Sequence, residues 1–97
     1  MVTLSSNFLF NCPNVSIFRS CNRLILASGL SVSELLTRHM TGEWGAIDEL
    51  SVQRNHECLK IGSGTVLSSH YLIGGENITI RTDLYSGETE IEICPHP

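Results

Sequence analysis

The chain has 97 residues, 41% of them apolar, with six basic against ten acidic side chains and a formal charge of -4. That length accommodates a single domain over 1–97, with one hydrophobic core. The charge balance leaves no dense basic patch for a phosphate backbone, which argues against direct nucleic-acid binding and for a protein partner with a basic surface.

No run approaches the roughly 20 apolar residues that span a bilayer, so no membrane association is expected. The N-terminus shows neither the basic region nor the small-residue cleavage site of a secretory signal, and the expected compartment is the cytoplasm. In a reducing compartment the cysteines Cys12, Cys21, Cys58 and Cys94 read as free thiols. The sequons at Asn14 and Asn77 then carry no meaning.

In chain order, residues 1–20 read as an irregular or short-strand arm, with extended backbone at Leu4–Phe10 or Val15–Phe18. The helical part follows over 21–62. Asn22–Ser28 predicts a short helix with Leu24, Ile25 and Leu26 on its apolar face, stopped by Gly29. Ser31-Val32-Ser33-Glu34 has the form of a capping box. It opens a helix whose inner face is Val32, Leu35, Leu36, His39 and Met40, ended by Gly42. Gly42-Glu43-Trp44-Gly45 predicts a structured turn with Trp44 turned inward, packed between this helix and the sheet, since a large aromatic is costly to leave in water. Asp48 predicts the cap of a third helix to Lys60, with Ile47, Leu50, Cys58 and Ile61 toward the core and Gln53, Arg54 and Glu57 toward solvent.

From Thr65 the period changes to two, and 65–94 reads as an antiparallel sheet. Its strands are Thr65–Leu72, Asn77–Thr82 and Glu88–Cys94, joined at Gly74-Gly75 and at Leu84–Gly87. In the last strand Thr89, Ile91 and Ile93 alternate with Glu88, Glu90 and Glu92, giving one buried and one acidic face. The predicted fold is α+β, with N-terminal helices packed on one face of a C-terminal three-stranded antiparallel meander.

The run from Ser31 to Thr82 resembles a group of small plasmid-related proteins of mobile genetic elements, sometimes labelled as type I restriction enzyme subunits. Their pattern is a helix ending in Arg-His, two variable residues and Gly-Asp-Trp-Gly, then an acidic capped helix and a strand with Leu-Ser and an aromatic. Arg38, His39, Gly42, Trp44 and Gly45 match, with Glu43 in place of Asp. Asp48, Asn55, Gly62, Leu67, Ser68, Tyr71, Ile78, Ile80 and Thr82 also fit, Tyr71 with a local shift. The chain departs at Asp83–Gly87, which lacks the family's arginine, in its acid-rich last strand and in its Cys94-Pro95-His96-Pro97 tail. The resemblance implies a mobile-element setting and brings no established reaction.

Three constellations could carry function. Arg38, His39 and Glu43 could form a small site with His39 as acid or base, Arg38 on an anion and Glu43 orienting the imidazole. No activated nucleophile accompanies them, and in Ser68-Ser69-His70 adjacent strand side chains point apart. His56/Cys58 and Cys94/His96 are spaced by one residue, closer than zinc pairs usually are, so no metal and no cofactor are expected. Glu88, Glu90 and Glu92 form either a solvated face guarding an edge strand or a strip that docks a basic surface.

The resulting expectation is a non-catalytic protein-binding module. Partner contacts fall at Glu88, Glu90, Glu92, Arg38 and Glu43, and Trp44, Gly42 and Gly45 are structural anchors. Its sharpest form inhibits or modulates a nucleic-acid-handling host defence complex. A small enzyme around Arg38, His39 and Glu43, and a homodimeric accessory protein paired through its last strand, are the alternatives.

Overall fold

The computed structural model describes residues 8–93. Its elements are β1 (Asn14–Ile17), α1 (Arg19–Ala27), α2 (Val32–Thr41), α3 (Glu49–Ile61), β2 (Thr65–Tyr71), β3 (Asn77–Asp83) and β4 (Glu88–Ile93). The fold is α+β, with three helices and a four-stranded mixed sheet in the order β1-β4-β3-β2.

Two helices start and stop where their end residues dictate. The Ser31 hydroxyl oxygen accepts the Glu34 N–H at 3.1 Å, and Gly42, at φ 92°, closes α2 in the left-handed region. The Asp48 carboxylate accepts the Ser51 N–H at 2.7 Å, and the Gly62 N–H returns to the Cys58 carbonyl. The first helix begins earlier than its sequence suggests, at Arg19, and has no side-chain cap. Its inner face is Cys21 and Ile25, one turn apart, while Leu26 is exposed. Residues 8–10 of the alternative strand at Leu4–Phe10 are not strand, and the rest of it lies outside the described residues.

The expected meander is present as β2, β3 and β4, but it is not the whole sheet. Strand β1 joins it parallel to β4, pairing Asn14 with Glu88 and Ile17 with Ile91. This strand overlaps the extended stretch expected at Val15–Phe18, starting one residue earlier, and what the sequence leaves open is its place beside β4. The addition makes β4 an interior strand, so its glutamates guard no edge and it offers none for dimer pairing.

Alternation divides the sheet. One face presents Val66, Ser68, His70, Ile78, Ile80, Thr82, Thr89 and Ile91, all buried. Cys21 and Ile25 of α1 and Leu35 of α2 complete a core with Leu72, Ile78, Ile80 and Ile91. The opposite face carries Thr65, Leu67, Arg81, Glu88 and Glu90, and α3 borders it through Ser51, Arg54 and Asn55 beside Thr65, Leu67 and Arg81.

The third helix departs most from expectation. It runs beside the outer edge of β2 rather than over the helical face, and Leu50 and Ile61 are 55% and 76% exposed. Gln53, Arg54 and Glu57 are exposed, as expected. The buried residue is Asn55, whose amide donates to the Leu67 carbonyl at 2.8 Å and accepts the Leu67 N–H at 2.9 Å. One side chain thus mimics a neighbouring strand for one residue of β2. Two positions on, the Ser69 N–H donates to the Trp44 carbonyl and the Ser69 carbonyl accepts from Ala46. The edge of β2 is therefore covered at successive outward-facing positions.

Truncation tests this closure. Asn55→Ala leaves the part-buried N–H and C=O of Leu67 without their protein partner, and about 1–3 kcal/mol of unfolding free energy is expected to be lost in urea titration. Trp44→Ala should cost about 3–5 kcal/mol, the range for a buried large aromatic. An unchanged melting temperature for either variant would show that the edge closure does not hold the fold.

Candidate functional site

The segment after α2 is a strap across the β2 edge. Gly45 lies at φ 70° and bridges to Ser69, so close that any Cβ would overlap the Ser69 carbonyl oxygen. Trp44 is buried, and its indole N–H donates to the His39 carbonyl at 2.9 Å. Its ring meets that of His56 from α3 edge to face at 5.1 Å. The tryptophan thus wedges between the end of α2 and α3 at the β2 edge, rather than between α2 and a sheet face.

The expected cluster of Arg38, His39 and Glu43 does not converge. His39 points into the core and is fully buried. Its Nδ1 lies 2.7 Å from the Ser68 hydroxyl, and its Nε2 lies 2.9 Å from that of Thr82. Thr82 in turn bonds Thr89 at 2.7 Å, and the Cys12 thiol sits 3.5 Å away. Phe10 closes the outer side with its ring edge-on to the imidazole. Both nitrogens of a neutral histidine are satisfied, one donating and one accepting. The serine–histidine contact has nucleophile geometry, but both side chains lack solvent contact, so the hydroxyl is closed to substrate.

Arg38 and Glu43 remain outside this network and make no ion pair with each other. The Arg38 carbonyl accepts the Glu43 N–H, and the Glu43 carboxylate takes the Thr41 hydroxyl at 3.4 Å. The imidazole that senses them is His70. It sits beneath the strap against Gly45, and its Nε2 is buried without a partner. Adjacent strand neighbours point apart, so Ser69 and His70 cannot act together. Ser68 and His70, two apart, share the helical face.

Burial disfavours the charged form of both histidines. Burial, reinforced by His70, pushes His39 down to about 4 from its ordinary 6.5. Burial also lowers His70, Arg38 adds to that effect, and Glu43 opposes it.

The carboxylates lie on the other side of the sheet. Glu88 and Glu90 are exposed, while Glu92 is partly covered and ion-paired with Arg81 on β3. The row is therefore not purely acidic. Asp83, assigned from sequence only to a turn, joins Glu88 and Glu90 around a depression of about 370 Å³ that Arg81, Ser16, Thr65 and Thr89 also line. One Asp83 oxygen also accepts the N–H groups of Tyr85 and Ser86. The expected partner residues thus form two separate surfaces. Glu88, Glu90 and Glu92 occupy the open face, and Arg38 and Glu43 lie at the end of α2 on the helical side.

Among the described residues no three His, Cys, Asp or Glu side chains group as metal ligands. Cys12, Cys21 and Cys58 are free, and Cys94 and His96 lie outside the described residues. No described helix is long and apolar enough to cross a membrane. Comparison with protein-family models, curated proteins and solved structures finds no match to this chain.

The histidines set a pH dependence with a definite sign. The folded pKa of each lies below its unfolded value, so the unfolded state binds more protons in between. Stability is full above pH 6.5 and falls as the pH drops toward about 4. His39 alone contributes about 3 kcal/mol to that loss. Urea unfolding at stepped pH should show this limb, and His39→Gln should flatten most of it. A profile that stays level through this window would mean that His39 titrates normally.

Proposed function

We propose that this chain is a non-catalytic binding module whose open sheet face docks a basic protein surface. The observation that carries the reading is the uncovered face of the four-stranded sheet, where Asp83, Glu88 and Glu90 surround one depression. A lysine or arginine side chain from a partner fits that chemistry. It gains carboxylates from two strands, and Arg81, which also lines the depression, limits where the positive group can sit. Charge complementarity of this kind acts mainly on encounter rate and on partner choice. The closed state of the Ser68–His39 pair and the dispersal of Arg38, His39 and Glu43 favour this reading over an enzymatic one.

The resemblance to plasmid-related proteins suggests the setting. In the proposed role the protein acts in the cytoplasm of a cell carrying a mobile element. It binds a nucleic-acid-handling defence complex through that complex's basic surface, and so blocks or modulates it.

The test is affinity capture from such cells, followed by binding kinetics with the captured protein. E88Q/E90Q/E92Q should stay folded, with stability within about 1 kcal/mol, because the lost Arg81–Glu92 pair is a surface one. Its association rate should fall about tenfold at low salt, and its salt dependence should flatten. Equal rates and equal salt slopes for variant and wild type would remove the open face from the reading.

A further inference from the structure

The open face does not carry one sign of charge. Beside the depression around Asp83, Glu88 and Glu90 lies a second, of about 280 Å³, lined by Ser51, Arg54, Asn55, Thr65, Leu67 and Arg81. Three carboxylates line the first, whereas two guanidinium groups and no carboxylate line the second. Register sets the two side by side. Arg81 on β3 stands opposite Glu90 on β4 and Leu67 on β2, and Leu67 is the residue that Asn55 of α3 holds. A line across the sheet therefore runs from carboxylate to guanidinium to α3, where Arg54 adds the second guanidinium. Thr65 and Arg81 line both hollows.

The donors of this groove are free to take a ligand. Among the described residues Arg54 makes no ion pair, and the Ser51 and Thr65 hydroxyls make no hydrogen bond within the protein. Asp48 lies within range of the Arg54 charge, but it does not line the groove, and its Oδ1 accepts the Ser51 N–H. Arg81 is paired with Glu92, yet the two side chains stay 39% and 34% exposed, and exposed pairs contribute little. A guanidinium has five N–H donors and one carboxylate takes two of them at most, so Arg81 keeps donors to spare.

We propose that the groove between α3 and β2–β3 is a carboxylate site, which takes an aspartate or glutamate side chain that the docked partner carries beside its basic group. Guanidinium groups recognise planar oxyanions, and the two hydroxyls supply further donors. The neighbouring acids choose among anions. Asp83, Glu88 and Glu90 repel each added negative charge, which favours a singly charged carboxylate over a doubly charged phosphate. The two hollows lie one to two strand spacings apart, about 5–10 Å, so one partner segment with a basic and an acidic side chain on the same side spans both. Arg81 between them attracts the acid and opposes the base, which fixes the direction in which that segment lies. The pairing of the two hollows rests on the basic-partner reading above, whereas the carboxylate groove does not.

The probes are N-acetyl-aspartate α-amide, its neutral asparagine counterpart and N-acetyl-lysine amide. Each is titrated into the isotope-labelled full chain at constant ionic strength and followed by NMR. The aspartate probe should shift the amides of Ser51, Thr65 and Leu67, and the asparagine probe should not. Arg54→Gln alters an exposed side chain and should weaken the aspartate probe about fivefold. Arg23→Gln removes the same charge from α1 and should leave it unaltered. Arg81→Gln should move the probes in opposite directions, weakening aspartate and strengthening lysine, which a loss of fold would not do. Absence of groove shifts with aspartate, equal shifts with asparagine, or indifference to both Arg54→Gln and Arg81→Gln would overturn the inference. Failure of the lysine probe at Asp83, Glu88 and Glu90, with aspartate still bound, would instead remove the basic-partner reading and leave the groove standing.

Discussion

The outer edge of β2 is the constraint from which much of the rest follows. A strand edge presents N–H and C=O groups that are costly to bury unpaired. Here two unrelated devices satisfy them in succession, a helix side chain at Leu67 and a strap backbone at Ser69. That requirement explains why Gly45 can carry no side chain and why Trp44 is fixed against the end of α2. It also explains why α3 buries an asparagine where an aliphatic residue would be expected. The Gly-Glu-Trp-Gly sequence is in this sense an architectural element, and its density of unusual residues reflects edge closure.

Beneath the strap the interior is unexpectedly polar. His39 reads hydroxyls from two strands, Ser68 on β2 and Thr82 on β3, and Thr89 on β4 extends the chain of contacts. A two-residue slip of β3 would set Ile80 against the imidazole and leave a buried nitrogen without a partner. The network therefore penalises misregistered sheets beyond what isoleucine packing alone would do. Its cost is a core that must keep histidines neutral.

The sequence was most legible where one local rule decides the outcome. The Ser31/Glu34 box, the glycine after Thr41, the Asp48 cap and the alternation from Glu88 to Ile93 each needed no tertiary information. Legibility failed where tertiary partners decide. Strand β1 overlaps the extended stretch expected at Val15–Phe18, but its pairing with β4 is a long-range contact that four residues cannot announce. The face of α3 was misjudged because an apolar-face rule cannot see that an amide will serve as a strand surrogate. His39 and His70 exchanged roles for a similar reason: helical spacing placed His39 inside correctly, but only the sheet register shows which imidazole lies near Arg38 and Glu43. The acidic row was visible from the alternation, whereas Asp83 and Arg81 enter it only through the β3–β4 register.

The order β1-β4-β3-β2 also dictates how the chain can fold. The hairpin of β2 and β3, with α3 and the strap, is built from contacts between near neighbours and can form early. Strand β4 then sits between that hairpin and β1, which was laid down at the opposite end of the sequence. Pairing Asn14 with Glu88 closes a loop around nearly everything else, so this contact carries the largest loop-closure entropy in the sheet. Until β4 docks, β1 has no neighbour, the isoleucine core lacks Ile91, and Thr82 lacks Thr89. A chain with β4 undocked therefore leaves the apolar face of the β2–β3 hairpin open on one side and β1 without any strand neighbour.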